Sequence, residues 1–288
     1  MAKVAALTYY PVKGLGGISV DHAEVLETGL AHDREFMLVN PEDGRFHSQR
    51  TIPRLAAIRV AYDGAALRFT IDGHEELAIE ATYDGPRRDV SVHGRWFGSA
   101  VEQDARAARW FTDVLGQPAT LARVPPDHDR PGWGVHQGKI GFADAHAVLI
   151  TSQSSLDELN ARILETGGEP VPMNRFRPNI VVAGWPEPHT EDNVLEAMIG
   201  TVHLGYSARA IRCAVPRVDQ ATGERTGPEP IKTLSTYRRQ PDYDGGVSFG
   251  MKAAVLRPGR IAVGDKFCVE TWLPEGDDPG AIAHNTRG

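Results

Sequence analysis

Glu35-Phe-Met-Leu-Val-Asn40, Pro41-Glu-Asp-Gly44 and Arg45-Phe-His-Ser-Gln49 read as strand, turn and strand. Proline presets the backbone for the turn, Asp-Gly completes it, and the apolar runs on either side carry the hairpin. The same grammar recurs in Arg59-Val-Ala-Tyr62 and Ala66-Leu-Arg-Phe-Thr-Ile-Asp72, which flank Asp63-Gly64 and an alanine pair. The 30 glycines and 20 prolines are scattered rather than clustered, which is the punctuation of many short elements. The expected fold class is therefore mixed α+β and mostly β.

Two helices interrupt the strands. In Asp104-Ala-Arg-Ala-Ala-Arg-Trp-Phe-Thr-Asp-Val-Leu-Gly116, Ala107, Trp110, Phe111, Val114 and Leu115 share one face and Gly116 supplies a left-handed stop. The second is expected to start at Ser155, with Glu158 closing a capping box, and to bury Leu156, Leu159, Ile163 and Leu164 against a sheet before Gly167-Gly168. Between the helices, Arg123-Val-Pro-Pro-Asp-His-Asp-Arg-Pro-Gly-Trp-Gly134 has the composition of a linker. Strand-like runs follow at 179–184 and 201–211, then a polar stretch through Thr226-Gly-Pro-Glu-Pro230, then 253–259 and 261–271. The expected organisation is an N-terminal β-rich domain over 1–120, a second domain over 121–273 and a frayed tail over 274–288.

Composition excludes several classes. A net charge of −7 argues against a general polyanion binder, so no nucleic-acid partner is expected and any anion site must be a local pocket. No run approaches the ~20 apolar residues that cross a bilayer, and the opening stretch, with two tyrosines and a proline, lacks a signal-peptide core. A cytoplasmic protein without membrane contact is expected. Two cysteines, Cys213 and Cys268, are too few for a disulfide framework or for the thiolates of an iron-sulfur cluster, so no such cluster is expected.

Chemistry concentrates in three stretches. In Ala210-Ile-Arg-Cys-Ala-Val-Pro-Arg217, Arg212 and Arg217 flank Cys213, and nearby guanidinium favours the thiolate, the form that attacks or binds a soft metal. Spacing alone leaves open whether Cys213 is that or a small core thiol. Asn174-Arg-Phe-Arg-Pro-Asn179 reads equally as a solvated strand start or as an anchor for phosphate or a planar heterocycle. The third is Tyr10-Pro-Val-Lys-Gly14 with Asp33-Arg34 beyond it. Lys13-Gly-Leu-Gly-Gly17 lacks P-loop spacing, His128, His136 and His146 show no zinc pattern, and Cys268, alternating with Phe267 and Val269, reads as a core residue. Trp133 reads as a loop anchor or as part of a substrate mouth. Whether Asp219 or Lys252 reaches the site is open.

Taken in order, these stretches resemble the MOSC family over nearly the whole chain. The opening 10–20 and the segment 29–58 look like the β-barrel domain that precedes MOSC domains. Segments 142–160, 174–184, 212–224, 234–239 and 255–265 look like the MOSC domain itself. Among well-known members, the chain resembles the amidoxime-reducing ones. The resemblance implies a MOSC-type β-barrel with packed helices, and a molybdenum-molybdopterin cofactor whose metal is bound by Cys213. It places cofactor-holding residues at Lys13, Arg34, Arg177, Asn179 and Arg212. It further implies a molybdenum-dependent oxidoreductase that reduces N-hydroxylated small molecules such as amidoximes and hydroxylamines. Electrons would come from a separate ferredoxin, cytochrome or flavin reductase, and the family also carries a pyridoxal phosphate association. The different-class alternative is a non-catalytic carrier of the cofactor, or of sulfur as a persulfide on Cys213. Six positions depart from the family pattern: Gly14 and Ile211 replace usual serine or polar residues, Pro216-Arg217 replaces a threonine pair, and Gln220-Ala221 replaces Pro-Asp.

Overall fold

The computed structural model describes residues 1–94, 96–274 and 278–285. Strands dominate, as the turn grammar predicts, and they form two principal sheets. The larger has nine strands. Its path runs Phe267–Trp272, Val194–Ile199, Val202–Ile211, Gly246–Arg257, Val148–Ser152, Ile180–Ala183, Lys3–Tyr9 and Ile18–Val20, with Arg239–Gln240 paired to Gly246–Arg257 off the path. No ladder closes this path into a barrel. The first strand nevertheless meets the segment before Phe267 at a single Lys3–Lys266 bridge, where Val4 N donates to Asp265 O and Phe267 N to Ala2 O. The second sheet orders Arg87–Val92, Trp96–Glu102, Thr120–Arg123, Phe36–Val39 and Val12–Lys13.

The chain changes sheets almost at once, and that crossover positions the site. Lys3–Tyr9 pairs with Ile180–Ala183 in the larger sheet, whereas Val12–Lys13 pairs with Phe36–Val39 in the smaller one. Tyr10 and Pro11 therefore lie on the seam between the sheets. Each sheet has its own apolar core: one around Ile150, Val182, Tyr206 and Met251, the other around Phe36, Phe69, Phe111 and Leu121. The second expected hairpin forms in full, whereas the first closes its turn but makes only an isolated Val39–Phe46 bridge, and 45–49 is not a strand. Asn40 N donates to Arg45 O and His47 N to Leu38 O across the first, and Arg59–Tyr62 pairs with Ala66–Thr70 in the second.

Helix α1 (Ala105–Leu115) is capped by Asp104, whose carboxylate accepts from Arg106 N, and stops at Gly116 with φ 66°. It buries Ala107, Phe111 and Val114. Helix α2 (Gln153–Glu165) corrects the reading of its start. The cap is Ser152, whose hydroxyl accepts from Ser155 N, and Glu158 closes no box but pairs with Arg162 and His189. Leu164 points outward at 57% exposure, because it falls off the stripe of Leu156, Leu159 and Ile163. Helix α3 (Ile231–Tyr237) lies just beyond the polar stretch and has no counterpart among the expected helices; it buries only Thr233 and Leu234, too little for a periodic signal.

The run 123–134 is no free linker, since Arg130 is buried and Val135 and His136 donate backbone hydrogen bonds to Ser207 and Tyr206. The run 261–271 is split between Gly259–Ala262, which pairs with His22–Leu26, and Phe267–Trp272. Cys268 is exposed rather than a core residue: on this edge strand Phe267 turns inward and its neighbour outward. Of the tail expected to fray, residues 275–277 and 286–288 lie outside the described residues, but the part between them is held. Helix α4 (Pro279–Asn285) follows Asp278, whose carboxylate accepts from Tyr206 Oη at 2.8 Å and Arg209 Nε at 2.7 Å.

Candidate functional site

A cleft with about 890 Å³ of empty space, open to solvent, lies along the seam between the two sheets. It brings together all six residues singled out in the sequence: Lys13, Arg34, Arg177, Asn179, Arg212 and Cys213. They arrive from four strand ends. Lys13 comes from the short strand after the crossover and Arg34 from the turn before Phe36–Val39. Arg177 and Asn179 precede Ile180–Ala183, and Arg212-Cys213 follows Val202–Ile211.

Tyr10 organises the floor. It is buried, its hydroxyl donates to Pro178 O at 3.1 Å, and its ring sits under two guanidinium groups, Arg177 at 4.2 Å and Arg34 at 4.5 Å from the centroid. Burial pushes its phenol up to about 12, against the pull of the two arginines. Arg34 is fixed by Asp33, by Asn179 Oδ1 at 3.0 Å and by the carbonyl of Arg177 at 3.4 Å. Although burial works against its charge, Asp33 overrides it and holds the Arg34 pKa above the usual value. Asn179 donates to Thr8 O at 3.2 Å and accepts from Leu149 N at 3.1 Å, so it ties three strands together as well as facing the cleft.

Lys13 donates to Phe142 O at 2.9 Å and pairs with Asp144. Burial lowers its pKa, with Asp144 opposing the shift. Arg177 is lowered to about 10 by burial; its Nη1 donates to Gln220 at 3.0 Å and meets no carboxylate. Arg212 is likewise lowered by burial, donates to Phe176 O at 2.8 Å, and keeps a buried Nε with no hydrogen-bond partner. Cationic side chains thus converge on a cleft whose one lining carboxylate, Asp144, is already held by Lys13 and His93. In a chain of net charge −7 this is a local concentration of positive charge of the kind that suits an anion. Cys213 is half-buried beside Arg212, and a cysteine in such electropositive surroundings is chemically disposed to bind a soft metal or to act as a nucleophile.

The structure adds residues the sequence did not single out. Arg50 reaches the Cys213 side chain, His93 bridges Arg50 and Asp144, and Arg130 braces the wall through the carbonyls of Gly141, Ala143 and Asp144. None carries a local pattern; only the fold brings them here. Lys252 lines the cleft, whereas Asp219 is spent on the turn amides of Ala221 and Thr222 and on Arg175. His146 lines the cleft with its ring 4.6 Å from Trp133, and His128 and His136 accept no shared role there. Gly14 adopts φ 87°, a left-handed conformation that explains glycine at this lining position.

A cation-lined cleft between two β units, with one thiol at a strand end, defines an α+β protein whose cleft is suited to an anion and offers a single soft ligand. Sequence comparison identifies the class further. The model described as MOSC N-terminal beta barrel domain matches residues 1–118, and that described as MOSC domain matches residues 137–267. The chain belongs to the MOSC family. It is similar to mitochondrial amidoxime-reducing component 1 of Homo sapiens, with 32% identity over 91% of this chain and 81% of that protein. Mitochondrial amidoxime reducing component 2 of Bos taurus is 30% identical over the same shares. Molybdenum cofactor sulfurase of Oryza sativa subsp. japonica is 28% identical over 85% of this chain, which spans 32% of the sulfurase.

Proposed function

We propose that this protein is a molybdenum-cofactor-dependent oxidoreductase that reduces N-hydroxylated small molecules, with electrons from a separate electron-transfer protein. The observation that carries the reading is the convergence of Cys213 with an excess of buried cations in one cleft. A pterin cofactor bearing a phosphate suits this donor set. The orphaned Arg212 Nε and the carboxylate-free Arg177 are groups an anion would complete, and Asn179 offers amide edges to a ring. Lys13, Arg34, Arg177 and Arg212 would hold the phosphate end and Cys213 the metal. Bound in this way, molybdenum supplies two-electron oxygen-atom transfer.

The chain's own work is to bind and orient. For an amidoxime the overall change is RC(NH2)=NOH plus two electrons and two protons to the amidine and water. The N–O bond breaks, one added proton goes to the nitrogen to give the amidine, and the other goes to the hydroxyl oxygen, which leaves as water. The relatives named for amidoxime reduction support this substrate class. The sulfurase similarity favours the second reading, a cofactor or persulfide carrier. A reducing, cytoplasmic location is also proposed, since both cysteines are free thiols and, among the described residues, no helix is long and apolar enough to cross a membrane.

The test is molybdenum content of protein made in a cofactor-producing host, wild type against Cys213→Ser, followed by benzamidoxime turnover with a chemical electron donor. Near-stoichiometric metal that falls in the variant, together with turnover, is expected. Metal without turnover selects the carrier, and absence of metal from the wild type sinks both cofactor readings.

A further inference from the structure

Among the side chains at the cleft is a connected set that the reading above leaves unused. Arg50 lines the same cleft as Cys213, whose nearby side chain holds the Arg50 pKa above its usual value against burial, and Arg50 Nη1 lies 3.2 Å from His93 Nδ1. His93 Nε2 lies 2.8 Å from Asp144 Oδ1, and Asp144 pairs in turn with Lys13. Guanidinium only donates, so His93 Nδ1 must accept from Arg50, and the ring proton must sit on Nε2 and be given to Asp144. The network therefore has one consistent protonation pattern, and it aims Arg50 at the thiol.

Two backbone features hold this aim. Arg50 O accepts from the Arg225 guanidinium, tying its segment to the loop that follows Cys213. His93 stands at φ 57° in the tight turn between Arg87–Val92 and Trp96–Glu102, with Phe46 edge-on to its ring at 4.7 Å. Arg50 is nevertheless not saturated. Its Nε is buried with no hydrogen-bond partner, and the residue lines the cleft together with Cys213.

We propose that Arg50 is a substrate-contacting catalytic residue that holds the oxygen of the N-hydroxyl group beside Cys213, with His93 and Asp144 as its positioning residues. The inference rests on the proposed reduction of N-hydroxylated compounds. As the N–O bond breaks, the hydroxyl oxygen gains electron density before it takes up one proton and leaves as water, while the second proton goes to the nitrogen. Electrons come from the electron-transfer partner and protons from solvent. A fixed guanidinium donor stabilises that developing charge without reorganising. His93 does not transfer the proton, because both its nitrogens are engaged.

The experiment uses the molybdenum-loaded, oxidised protein and two probes that differ by one oxygen, benzamidoxime and benzamidine. Calorimetry without an electron donor gives the affinity of each, and steady-state assays with a donor give kcat and KM. Wild type is expected to bind benzamidoxime more tightly. Arg50→Ala and Arg50→Gln are expected to keep their molybdenum and their benzamidine affinity, to lose the preference, and to drop kcat about 100-fold. Arg50→Lys recovers part of both. His93→Phe falls in the same direction by a smaller factor, while His93→Gln, which can still accept from Arg50, stays nearer wild type. Arg50 variants that retain metal with kcat within twofold of wild type overturn the inference, as does metal loss from them, which would make Arg50 a cofactor holder. A wild type that binds molybdenum but turns over no amidoxime overturns the proposed function itself, and the inference with it.

Discussion

Glu191 is a carboxyl group with no exposed surface, and its protonation should be readable in the stability of the whole fold. It lies in the 3-10 turn Thr190–Asn193 beneath the start of α2, where Ser155 Oγ sits 2.8 and 3.0 Å from its two oxygens and Ser152 N donates at 3.1 Å. The nearby guanidinium groups of Arg209 and Arg238 are bound to Asp192 instead, so no cation among the described residues pairs with Glu191. Burial, reinforced by the Asp192 charge, pushes its pKa from 4.5 up to about 7. A folded pKa raised above the unfolded one means the native state holds the proton more tightly. The resulting stabilisation is full below about pH 4.5 and is lost as pH rises through about 7. At about 1.4 kcal/mol per pH unit, the window is worth on the order of 3 kcal/mol. Glu191→Gln keeps the shape and removes the titration. In urea unfolding of both proteins from pH 5 to pH 8.5, the variant should gain on wild type by roughly that amount across the window, the remaining titrations cancelling between them. A stability difference that stays flat over that range would show that Glu191 is ionised in the fold throughout, and the reasoning would fail.

Two further outcomes are expected. Arg177→Met, which removes a buried guanidinium that meets no carboxylate, should raise the melting point of cofactor-free protein, by about 1 kcal/mol or more in stability. It should also abolish the stabilisation that pyrophosphate gives the wild type, and scanning calorimetry with and without the anion reads both. Gly29→Ala should cost about 2–4 kcal/mol in urea unfolding, because φ is 113° and an added Cβ would lie 2.5 Å from Ala147 O. Gly73→Ala, at φ 85° with nothing within 4 Å, is the matched control and should lose only about 1 kcal/mol.

What could be read from the chain was whatever its neighbours along the chain decide. The Asp63-Gly64 turn fixes its hairpin locally, the Pro41–Gly44 turn closes even though 45–49 makes no strand, and Asp104 and Gly116 bracket α1 within thirteen residues. Errors arose where a distant partner decides. Ser152 and Ser155 both offer hydroxyls at the start of α2, and the second is taken by Glu191, a residue from a different turn. Cys268 alternates with Phe267 as a core residue would, but an edge strand has only one face to bury, and it buries the phenylalanine. The site divides in the same way. Lys13, Arg34, Arg177, Asn179, Arg212 and Cys213 could be gathered because each sits in a short recognisable run. Arg50, His93 and Asp144 acquire meaning only through one another, across loops far apart in the chain.

The backbone at the cleft carries a signature that no residue type announces. Arg34, His93 and Arg177 take φ of 48°, 57° and 56°, half of the non-glycine residues with positive φ among those described. An arginine in the left-handed region costs on the order of 1–2 kcal/mol, and nothing in a sequence marks an arginine for it. At Arg34 and Arg177 the strain has a visible use. A left-handed turn at each residue directs its guanidinium back over Tyr10, so that two like charges share one ring instead of diverging into solvent. Such a cluster is costly while empty, since burial already lowers Arg177 and Arg212. A bound anion would lift that cost, and it follows that ligand binding and folding stability are coupled through these arginines. Substitutions that relax the cluster should make the empty protein more robust and the loaded protein less so, and that opposition of signs separates a ligand cradle from an ordinary structural arginine pair.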